Sequence, residues 1–323
     1  MAVYSVRRER LRTCLSMTNR VPLQEFYKTT FITEALKSEH LLRLVLSVSA
    51  LHLTEQHRET LITTDGHEKA AVVSKVKEYL TAADVHHSVA LGSFRKRLAN
   101  ITAEDSHAIF GCAVLIAMAS VARSCGSSWS FHLAERQKAD ENILEYLVLL
   151  RGIKSVLTET QEWVQAGPMS PIIWQPGNTG KDNKCITAYL DKLSAAFVES
   201  AEPKVAAICI DAIKLLRQSF ARMESGCEPS IVSFWPVLVH EDYMELLRSS
   251  QPEALIVLGS YCVFLQSQKW CWWVKGWPAK TLKTIDGMVG DELRPWLRWC
   301  VELLHPRDSK QETGRVSFIS RGP

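Results

Sequence analysis

The sequence lacks the cysteine pattern of a zinc finger or of a disulfide-rich domain. Its nine cysteines never form a C-x-x-C pair, so a thiolate zinc site of the usual finger type is not predicted. No apolar stretch follows the arginines near the N-terminus, which therefore does not resemble a secretory signal. Without an export signal, reduced and buried cysteines are expected. We predict a cytoplasmic protein that needs no metal.

A strong charge of one sign and a long apolar run are also absent. The 38 basic and 35 acidic residues leave a formal net charge of +3, which provides no strong field for a polyanion. The longest apolar run, Ala108 to Ala122, is about 15 residues long, whereas a bilayer requires roughly 20. We therefore expect no nucleic-acid binding and no membrane span, and interpret this run as a buried helix.

The motifs of common enzymes are missing as well. The sequence contains no G-x-G-x-x-G, H-E-x-x-H or G-x-S-x-G, and no acidic cluster of the kind that holds magnesium in terpene synthases. His86 and His87 adjoin each other, and on a helix their rings would point about 100° apart, which makes them a poor pair of metal ligands. We expect no cofactor.

Helical periodicity is what the sequence has in abundance. Apolar residues recur at helical spacing from Glu39 to Leu53, and no alternating β-branched run is long enough for a sheet. Further helices are predicted over 68–83, 85–99, 105–122, 141–157, 182–198, 203–220 and 253–265. The predicted fold class is all-α, a single multi-helix bundle over residues 1–323. Its ends at 1–30 and 307–323 are predicted to be flexible, and prolines and glycines predict an internal loop at 166–182.

Two features of the pattern concern the interior. The segment from Pro252 to Leu265 is apolar almost all round, so it must be covered on every side at the centre of the bundle. The tryptophan-rich segment after it is the expected cover. His52 lies on the apolar face of the first predicted helix, where it is either a core histidine hydrogen-bonded to a neighbouring backbone or a residue with a chemical role.

Several short blocks, in order along the chain, resemble the regulatory, ligand-binding domain of fungal zinc-cluster transcription factors of the sterol uptake control type. The blocks are Ser47–Leu53, Leu149–Ile153, Gly167-Pro168, Trp235-Pro236, Pro252–Leu255, Trp272–Trp277 and Trp296–Trp299. The resemblance implies an all-helical bundle around an apolar pocket that holds a hydrophobic ligand, a sterol in the best-understood members. The implied lining residues here are Phe264, Trp270, Trp273 and Trp277.

The sequence departs from this family at informative places. Leu258-Gly259-Ser260-Tyr261 stands where the family often has Leu-Ala-His-Tyr, and Arg298-Trp299-Cys300 stands where it has Arg-Trp-Pro. These departures imply a remodelled pocket. The six-cysteine zinc cluster of the family is not found, so we expect the chain to lack the DNA-binding module.

The first functional hypothesis is a stand-alone, cofactor-free cyclase or pericyclase of the hetero-Diels–Alderase type in fungal secondary metabolism. It would join or cyclise terpenoid and polyketide intermediates. Holding two reacting groups in a near-attack arrangement can contribute up to roughly 7–11 kcal/mol. A polar residue is still needed to polarise the substrate or expel water. The candidates are His52, Ser260 and Tyr261.

The alternative is a nuclear, sterol- or lipid-sensing transcriptional regulator domain that lacks its DNA-binding module. A carrier that only binds its ligand is a third hypothesis. In each case the expected partner is a hydrophobic small molecule, namely a terpenoid, a meroterpenoid or a sterol. The oligomeric state is left open, with a homodimer as one option.

Overall fold

The computed structural model describes residues 13–63, 65–126, 139–173, 184–224, 231–268 and 271–304. All regular elements within these ranges are helical, which confirms the predicted all-α fold class. Numbered from Val21 onward, the α-helices are α1 Val21–Phe26, α2 Ile32–Lys37, α3 Glu39–Thr63, α4 His67–Leu98, α5 Ala103–Gly126, α6 Ala139–Ala166, α7 Lys184–Ser200, α8 Pro203–Glu224, α9 Ile231–Leu238, α10 Glu241–Arg248, α11 Pro252–Ser267, α12 Trp277–Asp286 and α13 Arg294–Leu304.

The helices divide into two compact units. The first unit contains α1 to α5, the part of α6 from Val148 onward, and a 3₁₀ turn at Trp272–Val274. The second unit contains α6 up to Leu147 and helices α7 to α13. The single domain predicted over residues 1–323 stays a prediction, and we describe each unit by itself.

The N-terminal part of the first unit contains a helix within the segment that the sequence predicted to be flexible. Residues 13–30 belong to the predicted flexible end, yet they include α1, whose Leu23 and Phe26 are buried. The aromatic rings of Phe26, Tyr27 and Phe31 pack against one another with centroid distances of 5.2 to 6.0 Å. Aromatic packing therefore holds this end in place.

The centre of the first unit is the pair of long helices α3 and α4. The sequence predicted two helices over 68–83 and 85–99, whereas α4 is continuous from His67 to Leu98. Its buried residues Val76, Ala83, Ala90 and Phe94 form its inner face, and the Ser47 hydroxyl of α3 donates to the Ala83 carbonyl at 2.9 Å. Because the connection between the helices is short, they pair as antiparallel neighbours.

Helix α5 begins as its sequence predicts. The Thr102 hydroxyl accepts a hydrogen bond from the Asp105 backbone N–H at 3.3 Å, which caps the helix. By length and composition alone, one helix among the described residues, Ala103–Arg123, is apolar enough to cross a membrane, and 67% of its apolar window is buried. A core helix of a folded protein has the same properties, in agreement with our interpretation of Ala108 to Ala122.

Part of the predicted Pro/Gly loop at 166–182 lies in the first unit. Ser170–Ile172 forms a 3₁₀ turn, and residues 174–182 lie outside the described residues, as do 307–323. A Cβ atom at Gly167 would lie 2.2 Å from Cε1 of His107. The imidazole ring therefore occupies the space of a side chain at residue 167, which explains why glycine stands there.

The second unit is built around α11. Each residue from Ala254 to Leu265 is buried, which confirms that this helix is covered on every side. Pro252 stands in its first turn, where the missing N–H is tolerated. A Cβ atom at Gly259 would lie 3.1 Å from Leu297 and 3.2 Å from Leu282, so α12 and α13 approach α11 closely at this point.

Candidate functional site

Five aromatic side chains surround the middle of α11, and we call them the Tyr261 cluster. The members are Tyr146, Trp235, Tyr261, Phe264 and Trp277. Tyr261 is fully buried, and its ring stacks on Trp235 at 4.6 Å and on Phe264 at 5.9 Å between centroids. Trp277 meets both Tyr146 and Tyr261 edge-on, at 4.9 and 6.5 Å. The cluster brings four separate helices of the second unit together.

A pair of phenolic hydroxyl groups lies inside the Tyr261 cluster. The Tyr146 and Tyr261 oxygens are 3.4 Å apart, a long hydrogen bond in which either group can donate. The indole N–H of the neighbouring Trp235 donates elsewhere, to the Ala212 carbonyl at 2.8 Å. The pair is therefore a small polar spot among aromatic rings.

A second buried group lies where α7, α11 and α13 meet, and we call it the Tyr189 cluster. The Tyr189 hydroxyl is 3.4 Å from Ser260 Oγ, 3.4 Å from the Trp296 carbonyl and 3.6 Å from Cys300 Sγ. Its ring stacks on Trp299 with 3.7 Å between centroids and an interplanar angle of 9°. Ser260 uses its own proton on the Ile256 carbonyl at 3.1 Å, so its oxygen accepts from its neighbours.

Burial keeps the Tyr189 cluster uncharged. It raises the pKa of the Tyr189 phenol well above 10 and raises the pKa of the Cys300 thiol to about 11. Both groups are therefore protonated at neutral pH and act as donors. A thiolate nucleophile does not form here, because thiol reactivity requires a lowered pKa.

His52 lies in the first unit, with both ring nitrogens next to polar side chains. Nδ1 is 3.1 Å from Thr13 Oγ1 and 3.5 Å from Ser16 Oγ, and Nε2 is 3.3 Å from the side-chain nitrogen of Gln56. In the tautomer with the proton on Nδ1, the Gln56 amide donates to Nε2 and the imidazole donates towards Thr13. His52 is thus an inward-facing histidine, as predicted, with polar side chains next to both ring nitrogens.

The tryptophan-rich segment after α11 begins in the first unit. The Trp272 ring packs on His52 with 4.9 Å between centroids, and Trp273 is buried beside it. The Lys275 ammonium contacts the α3 carboxylates of Glu59 at 2.5 Å and Glu55 at 3.4 Å, and the Glu59 contact raises the pKa of Lys275. These ion pairs hold the 3₁₀ turn against α3.

The structure thus distributes the predicted site residues over separate places. Tyr261, Phe264 and Trp277 come together in the Tyr261 cluster, and Ser260 faces the Tyr189 cluster on another side of α11. His52 and Trp273 belong to the first unit, and Trp270 lies outside the described residues. The single apolar cavity predicted from these residues stays a prediction.

Sequence reasoning missed Tyr146 and Tyr189 as members of the two clusters. Both tyrosines lie on predicted helices and are buried, with 4% exposure each. Helical periodicity predicted the helices that carry them but did not identify their neighbours, which are far away in the chain. Within the described ranges, no group of three histidine, cysteine, aspartate or glutamate side chains is close enough to hold a metal ion.

A comparison with known families addresses the N-terminal part of the chain. Residues 10–139 match the family model of the fungal specific transcription factor domain. This match includes α1 to α5 and agrees with the transcription-factor resemblance at the level of that domain. The blocks from Leu149 onward and every member of both clusters lie beyond the matched residues. Searches of curated proteins and of solved structures find no match to the chain.

Proposed function

We propose that this chain is a ligand-binding regulatory domain of the fungal transcription factor type, and that it senses a hydrophobic small molecule through the Tyr261 cluster. The observation that carries the class is the match of residues 10–139 to the fungal specific transcription factor domain. As a regulator it would act in the nucleus, together with a DNA-binding protein or segment.

The chemistry of the Tyr261 cluster supports a flat, apolar ligand with one oxygen function. Aromatic rings offer large rigid surfaces that suit polycyclic or polyene skeletons. The hydroxyl groups of Tyr146 and Tyr261 add a single polar spot that can bind a ligand hydroxyl or carbonyl group. A sterol or another terpenoid has this combination of a rigid apolar skeleton and one oxygen atom.

Ligand binding tests this proposal directly. We would measure the quenching of tryptophan fluorescence by a panel of sterols and terpenoids, for the full chain and for Tyr261→Phe. The variant keeps the aromatic ring and removes one hydroxyl, so affinity for oxygenated ligands should fall about tenfold, while affinity for the matched hydrocarbons should not change.

Tyr243→Phe is the matched control for this experiment. Tyr243 is fully buried in the same unit, but its hydroxyl donates to the Ala254 carbonyl at 2.9 Å and lies outside the hydroxyl pair. The Tyr243→Phe variant should be less stable than the parent protein but should keep the same preference for oxygenated ligands. If no member of the panel binds, or if both variants lower the affinity for all ligands equally, the Tyr261 cluster is not the ligand-binding site.

A cofactor-free pericyclase is the second candidate function, and the hydroxyl pair is the observation that favours it. A hydroxyl donor in an apolar surrounding can polarise the carbonyl oxygen of a heterodiene such as a quinone methide, and thereby accelerate its cycloaddition with an alkene. The ring faces would hold the two partners in a reactive arrangement. Both new bonds form between the substrates, so no covalent enzyme intermediate is required.

The product ratio distinguishes a catalyst from a sensor. An uncatalysed cycloaddition gives a mixture of stereoisomers, and a shaped site should favour one isomer at catalytic amounts of protein. Tyr261→Phe should then lower turnover, with the Tyr243→Phe control close to the parent protein. An unchanged ratio at stoichiometric protein, together with measurable ligand binding, would leave the sensor as the function.

A further inference from the structure

The outer face of α4 carries apolar side chains where an exposed helix normally carries charged ones. Val85 and Val89 lie one turn apart and are 54% and 45% exposed. Both are β-branched, which lowers helix propensity, so neither burial within the chain nor helix stability accounts for them. Gly92 lies on the same side, and an added Cβ atom there would meet no atom within 4 Å. The face therefore permits a close approach.

Two charged residues extend this face symmetrically. Glu78 precedes Val85 by seven residues and Lys96 follows Val89 by seven, so all four lie within about 40° of one line along the helix. Glu78 and Lys96 are exposed, and within the described part of the chain neither takes part in an ion pair. We call Glu78, Val85, Val89 and Lys96 the outer stripe. Its acidic and basic ends each lie about 14 Å along the axis from His87.

We infer that α4 forms the interface of a two-fold symmetric homodimer, in which the outer stripes of two chains pack antiparallel. With the two-fold axis at the level of residue 87 along the helix, Val85 packs on the partner's Val89, and Glu78 meets the partner's Lys96 at both ends. Each chain uses the same surface, as a closed two-fold interface requires. A parallel arrangement would place Glu78 against Glu78, so the charges select the antiparallel one.

Two basic residues at equivalent levels of the helix, Lys77 and Arg97, are kept apart in this pairing. They project about 100° away from the stripe on opposite flanks. Arg97 is also paired with Asp105 of its own chain at 2.5 Å.

Sedimentation velocity on the full chain tests the dimer. A contact formed by one helix of each chain lies at the small end of specific interfaces, so we expect a dissociation constant of about micromolar magnitude. Val85→Glu should raise this constant at least about tenfold. Val198→Glu, on α7, is the matched control because Val198 is 68% exposed and is not part of the stripe; it should have no effect. A parent chain that stays monomeric up to about 100 µM overturns the inference.

Charge exchange tests the antiparallel register. Glu78→Lys alone and Lys96→Glu alone should each weaken self-association, because each places like charges opposite each other. Mixing the two single variants should restore association, since each then supplies the charge that the other needs. Equal self-association of parent and single variants, or no recovery on mixing, contradicts the register. Neither outcome bears on ligand binding, because the Tyr261 cluster lies in the other unit.

Discussion

Ser260 Oγ and Cys300 Sγ lie 4.0 Å apart in the core of the second unit. They stand at two positions where the sequence departs from the family motifs that it resembles. The Tyr189 hydroxyl reaches both side chains, and Gly259, the third departure, faces Leu282, Leu297 and Cys300. The three departures therefore lie at one contact. Gly259 allows α12 and α13 to approach α11 closely, and the polar side chains of Tyr189, Ser260 and Cys300 lie next to one another.

The close contact at Gly259 predicts that adding a single methyl group there lowers the free energy of unfolding. Gly259→Ala would bring a methyl group 3.1 Å from Leu297 and 3.2 Å from Leu282, which is tighter than an ordinary contact. We expect a loss of about 1–3 kcal/mol in the free energy of unfolding, measured with urea. The control is Gly152→Ala in α6, where an added Cβ meets nothing within 4 Å; it should stabilise by up to about 1 kcal/mol. Stabilisation by both substitutions would contradict the close approach.

The complete burial of α11 predicts a large effect at Leu258. Leu258→Ala removes apolar atoms from a side chain with 0% exposure and leaves a cavity, so the free energy of unfolding should fall by about 2–5 kcal/mol. Val198→Ala, at an exposed helical position, should change it by less than about 0.5 kcal/mol. Similar small effects in both variants would mean that α11 is not the core of its unit.

The hydrogen-bonding contacts of the Tyr189 cluster predict that removing one hydroxyl group lowers the free energy of unfolding. Tyr189→Phe keeps the ring that stacks on Trp299 but deprives Ser260 of a neighbour within 3.4 Å. We expect a loss of about 1–2 kcal/mol in thermal or chemical unfolding. Tyr189→Phe combined with Ser260→Ala should cost less than the sum of the single changes, because the unsatisfied partner is then removed too. Additive losses would show that the two groups do not interact.

The lowered pKa of His87 predicts that the free energy of unfolding decreases in mild acid. Burial, reinforced by the nearby charge of Arg123, lowers its pKa from 6.5 to about 4. The unfolded chain therefore binds more protons than the folded chain between pH 6.5 and about 4, so stability should fall as the pH falls through this window. His87→Leu should reduce that slope in unfolding curves measured at several pH values. An unchanged slope in His87→Leu would contradict the assignment.

Local patterns in the sequence determined the helices and the direction in which many side chains face. The period of apolar residues predicted most of the long helices, and the absence of a polar face predicted the burial of α11. Periodicity failed where elements are short or interrupted. Helices α9, α12 and α13 have 8, 10 and 11 residues, and Pro236 lies inside α9, so their apolar period is too short to be distinctive.

The tertiary structure alone decided which inward faces meet. Tyr189 and Ser260 are 71 residues apart in the chain, and Tyr146 and Tyr261 are 115 apart, yet each pair of oxygens is 3.4 Å apart. A helical period shows that a side chain is covered but not by which other helix. The chain also places His52 and Tyr261, which the sequence assigned to one cavity, in different units. The sequence therefore determined burial, which is a property of each helix, whereas the site depends on how helices distant in the chain pack together.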